Sequence, residues 1–423
     1  MAIERNKTVM VVGGGGRCHA IVAALARSPQ VERIYCAPGN AGIAELAECV
    51  PVSVTDVEAL ADFAAGHKVD LTVVGPEAAL AAGLVDVFTA RGLRAFGPTK
   101  SAARIESSKE FAKELMMKHS IPTAAYRSFS DFDEAWAYVR NRPLPAVVKY
   151  DGLAAGKGVV VAATYEEAEA ALRDMLLDSA FGKGRVVIED FLDGPEFSFM
   201  CVVGGRKVYP LALAQDHKRA FEGDRGPNTG GMGAYSPVDF ITAEVRDRAL
   251  TDIMQATADA LADEGVPFYG VLYGGLILTD DGPKVIEFNA RFGDPETEVV
   301  LPRLESDIYA LFTAALEGKD FPLEWSSRCY LGIVLAADGY PGSYPKGFRL
   351  EDVEKSVCGV YHMGTARDAD GNLVSAGGRV LMVVGSGSDM KAAREAALAD
   401  AERIAAGGSL FFRRDIGHKV IDL

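Results

Sequence analysis

The chain has 423 residues, 49% hydrophobic and 24% charged. That is enough apolar material for roughly two to four folded domains and too much for wholesale disorder. Forty-four Lys and Arg against 59 Asp and Glu leave a formal charge of −15 with no basic tail, which excludes a general nucleic-acid binder and requires any phosphate site to be built locally from lysines, arginines and backbone N–H groups.

Six scattered cysteines without a CxxC pair read as reduced thiols of a cytoplasmic protein rather than a disulfide framework. The start, "MAIERNKTVMVVGGGG", enters a strand at once and carries no signal-peptide pattern, and no apolar run approaches membrane-spanning length.

In the first hundred residues, short apolar strands alternate with alanine-rich helical stretches. "TVMVVGGGG" is a strand ending in glycines and "CHAIVAALARS" a helix. "RIYCAPGNAG", "VDLTVVGPE" and "LRAFGPT" supply three more strands. The rhythm predicts a Rossmann-like, doubly wound parallel sheet whose ligand crevice lies at the strands' carboxyl ends, where residues 13–16, 39–42 and 75–77 fall. The glycines do not form a dinucleotide fingerprint. Counted from Gly13 the third glycine position is Cys18, counted from Gly14 it is His19, and the second strand ends in Cys36 and Ala37 without an acid for a ribose. Two readings stay open: a phosphate on the N–H groups of a helix N-terminus, or a tight structural turn.

Residues 101–123 read as one long helix closed by Ile121-Pro122. An α+β stretch follows, with strands at "PAVVKY", "KGVVVA" and "RVVIEDF" around the helix "TYEEAEAALRDML". "KYDGLAAGKGVVV" resembles a nucleotide-binding P-loop, but its spacing from Gly152 to Gly156 is one residue short and Gly158 stands where a hydroxyl residue must hold Mg²⁺. Strands flank it on both sides, so it reads as a flap over a phosphate chain, with Lys149 at the strand end as a point charge. "VIEDFLDGPEFS" has the form of a hinge whose backbone could pair with an adenine edge, with Glu196 for ribose hydroxyls.

Strands return at "SFMCVVGG" and "VYPLALA". Next comes the polar stretch "QDHKRAFEGDRGPNTGGMGAYSP", too long for an ordinary connection and read as a functional loop that contains His217. A helix over residues 243–264, a hairpin over about 269–288 and another helix follow. In "KVIEFNARFGDPETE", strand alternation puts Val285, Glu287 and Asn289 on one face. A carboxylate and an amide oxygen two residues apart are hard ligands suited to Mg²⁺ that keeps substrate phosphates in its shell, and Arg291 could stabilise charge on a transferring phosphoryl group. The tail carries the strands "CYLGIVLAA" and "GGRVLMVVGSG". There is no HExxH, no GxSxG and no spaced histidine pair.

These segments, in this order, resemble the ATP-grasp carboxylate–amine ligases and, more closely, the glycinamide ribonucleotide synthetase family. The resemblance covers essentially the whole chain. "DGLAAGKGV", "LAQDHKRAFEGDRGPNTGGMGAYSP" and "IEFNARFGDPETE" are its most specific blocks. It implies an N-terminal Rossmann-like substrate domain over residues 1–105, an ATP-grasp region over 106–328 with its lid-bearing part at 124–197, and a small C-terminal α+β domain over 329–423. It implies ATP phosphates on Lys109, Lys149 and a flap including Gly156 and Gly158. The adenine hinge is then Glu189 to Leu192 with Phe191, and the ribose acid is Glu196. Glu287 and Asn289 hold Mg²⁺ or Mn²⁺, and Arg291 sits beside the γ-phosphate.

The implied reaction activates glycine as glycyl phosphate and passes it to 5-phosphoribosylamine in purine biosynthesis, in a cytoplasmic monomer that needs no nucleic acid or membrane. Asp216 with Asn228, Thr229, Gly230 and Gly231 is expected to hold glycine. Gly14, Gly15, Glu77 and Asp294 complete the substrate set. The sequence departs from the family pattern at Cys18 (usually an acid), Tyr150 (usually alanine) and Asp190 (usually glutamate). "YGGLIL" also lacks the metal-binding acid that many ATP-grasp strands carry. Two other readings compete with this one. The "RGPNTGGMG" loop argues against a purine ligase using formate or carbonate, and the intact set Lys149, Glu287, Asn289 and Arg291 argues against a regulatory nucleotide-binding module without catalysis.

Overall fold

The computed structural model describes residues 5–152, 158–178 and 184–421. Strand β1 (Lys7–Gly13) is apolar and fully buried through residues 9–12, as expected of a parallel strand covered on both faces. With β2 (Val31–Pro38), β3 (Glu48–Cys49), β4 (Leu71–Val74) and β5 (Ala95–Phe96) it forms a parallel sheet of order β3-β2-β1-β4-β5. Helices α1 (Gly16–Ala26), α2 (Val57–Gly66), α3 (Glu77–Ala81) and α4 (Leu84–Ala90) lie between the strands. The expected doubly wound sheet is therefore present. Its order reverses between β1 and β4, which opens the crevice at their carboxyl ends.

The helix expected over residues 101–123 is broken. Between α5 (Arg104–Ser107) and α6 (Lys109–Lys118), Ser108 is extended at φ −133° and ψ 110°. Its Oγ accepts the Phe111 N–H at 3.1 Å, and Asp151 Oδ1 accepts the Glu110 N–H at 3.2 Å. A serine offers the backbone this alternative to continuing a helix. The break puts Lys109 at a helix start, where its Nζ donates to the Gly152 carbonyl at 3.1 Å.

Strand β6 (Tyr126–Phe129), helix α7 (Phe132–Val139), strands β7 (Ala146–Tyr150) and β8 (Val159–Ala162), helix α8 (Tyr165–Leu176) and strand β9 (Val186–Asp190) form an antiparallel sheet of order β6-β9-β7-β8 with its own small core. The strand–loop–strand reading of "KYDGLAAGKGVVV" holds, with Lys149 opposite Val159. Gly156 and Lys157 of that flap lie outside the described residues.

Strands β10 (Glu196–Gly204) and β11 (Lys207–Pro210) begin the next sheet, and β11 covers only the first part of "VYPLALA". The long polar stretch is more ordered than a loop. It contains β12 (Gln215–Asp216), β13 (Arg219–Phe221), β14 (Arg225–Asn228) and β15 (Gly233–Ser236), with β12 paired to β15 around the β13–β14 hairpin. Gly223 and Asp224, both at positive φ, make the turn of a nested strand pair, a use that a composition reading does not separate from a loop. The helix read over residues 243–264 runs as α9 (Ala243–Arg248), a π-helical segment (Ala249–Gln255) and α10 (Ala256–Asp263).

Strands β16 (Tyr269–Thr279) and β17 (Gly282–Asn289) complete the sheet β11-β10-β16-β17, followed by helices α11 (Thr297–Val300) and α12 (Ile308–Leu316). The last part holds β18 (Cys329–Ala337), β19 (Gly359–His362), β20 (Thr365–Arg367), β21 (Leu373–Ser375), β22 (Arg379–Gly387), α13 (Met390–Ala405), β23 (Leu410–Phe411) and α14 (His418–Ile421). Its sheet runs β12-β15-β18-β22-β19, with β23 also on β18. The polar stretch is thereby built into the C-terminal sheet.

A bulge interrupts the alternation read for β17. Gly275 pairs with Glu287 but Leu276 pairs with Val285, which leaves Ile286 unopposed. Val285 is fully buried in the core, while Ile286, Glu287 and Asn289 line the cleft described below. The bulge therefore parts Val285 from the two candidate ligands, and the Ile286 carbonyl accepts Lys149 Nζ at 2.8 Å.

Helix α12 packs on β10 so closely that a Cβ at Gly204 would lie 2.0 Å from the Ala315 carbonyl oxygen. Gly204→Ala should lower the thermal midpoint, by about 1–3 kcal/mol of stability. Gly407→Ala, with nothing within 4 Å, should leave it unchanged.

Candidate active site

The β6-β9-β7-β8 sheet faces the β11-β10-β16-β17 sheet across a cleft of about 510 Å³ that α6 closes at one side. At one end its walls are apolar, formed by Met116, Val147, Leu192, Ile277 and Ile286, with Phe191 beside them. At the other end they are charged. An apolar slot leading to a cationic end matches the shape of a nucleotide, base first.

The hinge between the slot and the charges turns on Glu189, which is 4% exposed. Its carboxylate lies between two lysines: Lys149 Nζ is 2.9 Å from Oε1 and Lys113 Nζ 2.9 Å from Oε2. Lys113 also donates to Thr123 Oγ1 at 2.8 Å, and burial against the pull of Glu189 brings it down to about 8. Lys149 uses Glu189 and the Ile286 carbonyl, and it still lines the cleft.

At the charged end, burial by itself would raise the Glu287 carboxyl, but Lys218, Lys149, Lys109 and Arg291 together hold it below its ordinary range. Lys109 is lowered by burial and by Lys149, against the opposing pull of Glu287. Four cations converge on this one carboxylate, a local concentration of positive charge where a polyphosphate could find its partners, although each of Lys149, Lys218 and Arg291 also faces other acids of the cleft. Among the described residues no group of three or more His, Cys, Asp or Glu could hold a metal ion. Glu287 and the Asn289 amide oxygen are thus a two-donor set of hard oxygens. Such a set cannot fill a cation's shell, but it suits Mg²⁺ that takes its other ligands from phosphates and water.

Arg291 is held beside this set. Its Nη2 donates to Asn289 Oδ1 at 3.2 Å and lies 3.0 Å from Glu106 Oε1, and its Nε lies 3.3 Å from Glu77 Oε2. Glu77 is shared with Arg17, whose Nη1 is 3.5 Å away. Burial would raise the Glu77 carboxyl, yet Arg17 and Arg291 hold it low. Asp294 closes the chain of charges, with Arg17 Nε at 3.5 Å and Arg379 Nη2 at 2.8 Å. Burial opposes its ionisation, but Arg379 and Arg17 keep its carboxyl below the usual range. Arg379 also donates to the Gly230 carbonyl at 2.6 Å.

A second polar group faces the cleft from the nested strand pair. Asp216 is pushed up to about 7 by burial, with Glu296 and Glu196 adding to the shift and Lys218 opposing it. Lys218 Nζ lies 4.0 Å from Asp216 and 3.2 Å from Glu196. Glu296 Oε1 accepts Ser198 Oγ–H at 2.9 Å and Tyr273 Oη–H at 2.8 Å. Two carboxylates thus lie beside one lysine, which puts groups of both signs next to each other on this wall.

Of the residues singled out from the sequence, Lys109, Lys149, Gly158, Glu189, Phe191, Leu192, Glu196, Asp216, Asn228, Thr229, Gly230, Glu77, Glu287, Asn289, Arg291 and Asp294 share this cleft. Gly14, Gly15 and Gly231 do not line it. A Cβ at Gly14 would lie 2.5 Å from the Gly39 carbonyl, and the Gly14 carbonyl accepts from Asn40. The Gly231 carbonyl accepts Arg379 at 3.4 Å, and a Cβ there would lie 2.4 Å from Pro295. The Arg17 N–H at the start of α1 points to Asp294 Oδ2 at 3.4 Å. His217 turns away from the cleft, buried beside Tyr235 and His418. Cys18 is buried with Sγ 3.8 Å from the Val12 carbonyl, and burial raises its thiol, so it acts in packing.

Sequence reasoning missed Arg17, Glu106, Lys113, Lys218, Tyr273, Glu296 and Arg379. Lys113 follows Lys109 by four residues on one helix face, and Lys218 follows Asp216 by two, so spacing could have flagged both. Arg379 opens a strand of the distant C-terminal sheet and carried no signal.

Models of phosphoribosylglycinamide synthetase match the chain in three parts: the N domain at residues 7–106, the ATP-grasp (A) domain at 107–297 and the C domain at 330–419. The phosphoribosylamine–glycine ligase of Halalkalibacterium halodurans is 52% identical over 98% of this chain and 97% of that one. That of Listeria innocua is 50% identical over 97% and 99%. The crystal structure of phosphoribosylamine–glycine ligase from Thermotoga maritima superposes with a TM-score of 0.83 at 33% identity, covering 97% of this chain and 100% of that one.

Asp294 is 6% exposed, and removing one partner of such a buried pair costs about 3–5 kcal/mol. Asp294→Asn should lower the thermal midpoint accordingly at neutral pH. A carboxyl held low stabilises the fold above its ordinary pKa and loses that effect as pH falls through the depressed value. The gap between wild type and variant should therefore narrow in melts taken below about pH 4.

Proposed function

The chain belongs to the phosphoribosylglycinamide synthetase family, and from that premise we propose how its cleft divides the work of an ATP-dependent carbon–nitrogen ligase. Glycine and 5-phosphoribosylamine are joined to 5′-phosphoribosylglycinamide, with ATP converted to ADP and phosphate. The domains divide at residues 1–105, 106–328 and 329–423, in a cytoplasmic monomer. No described helix is long and apolar enough to cross a membrane.

A carboxylate is a poor acyl donor because its leaving group would be oxide. Transfer of the ATP γ-phosphoryl group to the glycine carboxylate forms a C–O–P linkage and releases ADP. The amine nitrogen of phosphoribosylamine then attacks the acyl carbon, an amide bond forms, the C–O bond to phosphate breaks and the nitrogen gives up a proton. Adenine enters the apolar slot against the backbone of the Glu189–Leu192 hinge, and Glu196 receives ribose hydroxyls. Lys109 and Lys149 take phosphate oxygens, with Gly158 of the flap beside them. Glu287 and Asn289 hold Mg²⁺ or Mn²⁺, which when bound neutralises phosphate charge. Arg291 faces charge that develops on the transferring phosphoryl group.

Asp216 binds the glycine ammonium, and Asn228, Thr229 and Gly230 line the rest of that subsite. Phosphoribosylamine lies toward the N-terminal crevice, with Arg17 and the Gly14–Gly15 backbone for its phosphate and Glu77 and Asp294 for its polar groups. The observation that supports this reading best is the pairing of a two-donor metal set with four surrounding cations next to an apolar slot.

Purified protein given ATP, Mg²⁺, glycine and freshly made phosphoribosylamine should release phosphate, and replacing glycine by formate or bicarbonate should stop it. Folded protein that releases none under the full mixture contradicts the assignment. Glu287→Gln should cut turnover at least about a hundredfold while a fluorescent adenine nucleotide still binds.

Asp216 supplies a pH test. It is raised above its ordinary value to about 7, so the folded protein holds it neutral at pH 5 and ionised at pH 8. Its ionisation therefore costs stability as pH rises toward 7, whereas ammonium binding requires the ionised form. kcat/KM for glycine should climb through pH 7 and level off above. Asp216→Asn should flatten the climb, raise KM for glycine and leave the melting temperature above pH 7 equal or higher.

A further inference from the structure

The strand pair that carries Asp216 and Lys218 on one side and Asn228 and Thr229 on the other has little core of its own. All of β14 is exposed, and in β13 only Ala220 is buried. A two-stranded hairpin with so little buried apolar surface is marginal by itself. Its geometry must come from what it leans on, and that is the C-terminal tail after β23.

Arg413 is the centre of this contact. Its guanidinium is only 1% exposed, so each of its N–H groups needs a partner. Nε and Nη2 donate to the two Asp415 oxygens at 2.8 Å each. Nη1 donates to Asp224 Oδ1 at 2.9 Å and to the Arg219 carbonyl at 3.0 Å. Asp415 in turn accepts the Gly223 N–H at 2.8 Å, and Lys419 Nζ lies 3.3 Å from Asp224 Oδ2. One buried cation thus clamps the hairpin twice: at its turn, through Asp224, and at its base, through Arg219.

The base is where function sits. Arg219 follows Lys218 directly and pairs with Asn228 across the ladder. The Lys218 carbonyl accepts the Thr229 N–H at 2.8 Å and the Thr229 hydroxyl at 2.9 Å. The tail also holds the reverse side of this segment, where the Gly417 N–H donates to His217 Nε2 at 3.3 Å. Asp216 and Lys218 flank His217 and line the cleft from the opposite face of the strand.

We propose that Arg413 is a positioning residue for the amino-acid substrate, holding the β13–β14 hairpin through Asp224 and the Arg219 carbonyl so that Asp216, Lys218 and Thr229 converge on the cleft. The inference rests on the reading that this strand pair binds glycine. Arg413 itself touches no substrate. Losing the clamp lets the hairpin shift, and misplacement of about 1 Å at a binding group is felt as a large loss of productive complex.

The test compares Asp224→Asn and Arg413→Lys in the full-length protein. Asp224 is partly exposed and Asn tolerates its positive φ of 51°, so the first variant should fold even if the second does not. The expected result is a KM for glycine raised about tenfold or more, with KM for ATP unchanged and the double variant no worse than the more affected single one. A purely structural role would lower the active fraction and the melting temperature and leave KM for glycine where it was. An unchanged KM for glycine in folded Asp224→Asn overturns the proposal, whether or not Arg413→Lys folds. Asp216→Asn, run alongside, separates the two readings. If that variant keeps a normal KM for glycine while Asp224→Asn does not, the glycine assignment of Asp216 fails and the clamp stands.

Discussion

The cleft depends on a single buried carboxylate, that of Asp294. It lies between Arg17 at the start of α1 and Arg379 at the start of β22, and it accepts the Arg17 backbone N–H. Three sheets with separate hydrogen-bond ladders meet at this point. Arg379 carries the link onward to the Gly230 carbonyl, and Arg17 carries it to Glu77 and so to Arg291. A charge with this little exposure is tolerated only with its partners in place. The relative placement of the N-terminal crevice, the Glu287–Asn289 pair and the nested strands is therefore a condition of burying it.

The same logic sets the electrostatics of the site. A chain with a formal charge of −15 attracts polyphosphate only where local geometry gathers its cations. Here Lys109 is turned in by the break at Ser108, Lys149 by its bond to the carbonyl freed at the Ile286 bulge, and Lys218 by the pairing of β12 with β15. Lys109 and Lys149 are aimed by departures from regular structure. These departures are cheap in isolation, and they leave Glu287 ionised despite its burial.

Around Asp216 the balance of charge inverts. Asp216 lies among Glu196, Glu296 and a single lysine, so burial keeps its proton on until pH is near neutral. A group whose ionisation is disfavoured in the empty site gains most from a cationic ligand. The site holds this disfavoured charge through strands whose shape is imposed from elsewhere, by the C-terminal tail and Arg379.

Much of this was legible in the residues themselves. The β-α-β rhythm determined the parallel sheet, because strand and helix periods are local. The spacing in "KYDGLAAGKGVVV" ruled out a P-loop, and the alternation of "KVIEFNARFGDPETE" put Glu287 and Asn289 together, as the cleft has them. In each case the deciding groups lie within a few residues of one another. Tertiary structure alone decided the rest. The bulge that removes Val285 from the ligand face needs the register of β16. The clasp of Glu189 needs Lys113 from another element, 76 positions away. The Arg17–Asp294 pair joins residues 277 positions apart, and Arg413 reaches Asp224 across 189. Periodicity and spacing report what the backbone does over one or two turns. Which distant cation meets a buried carboxylate depends on how the sheets pack, since only packing removes the water that would otherwise satisfy each charge by itself.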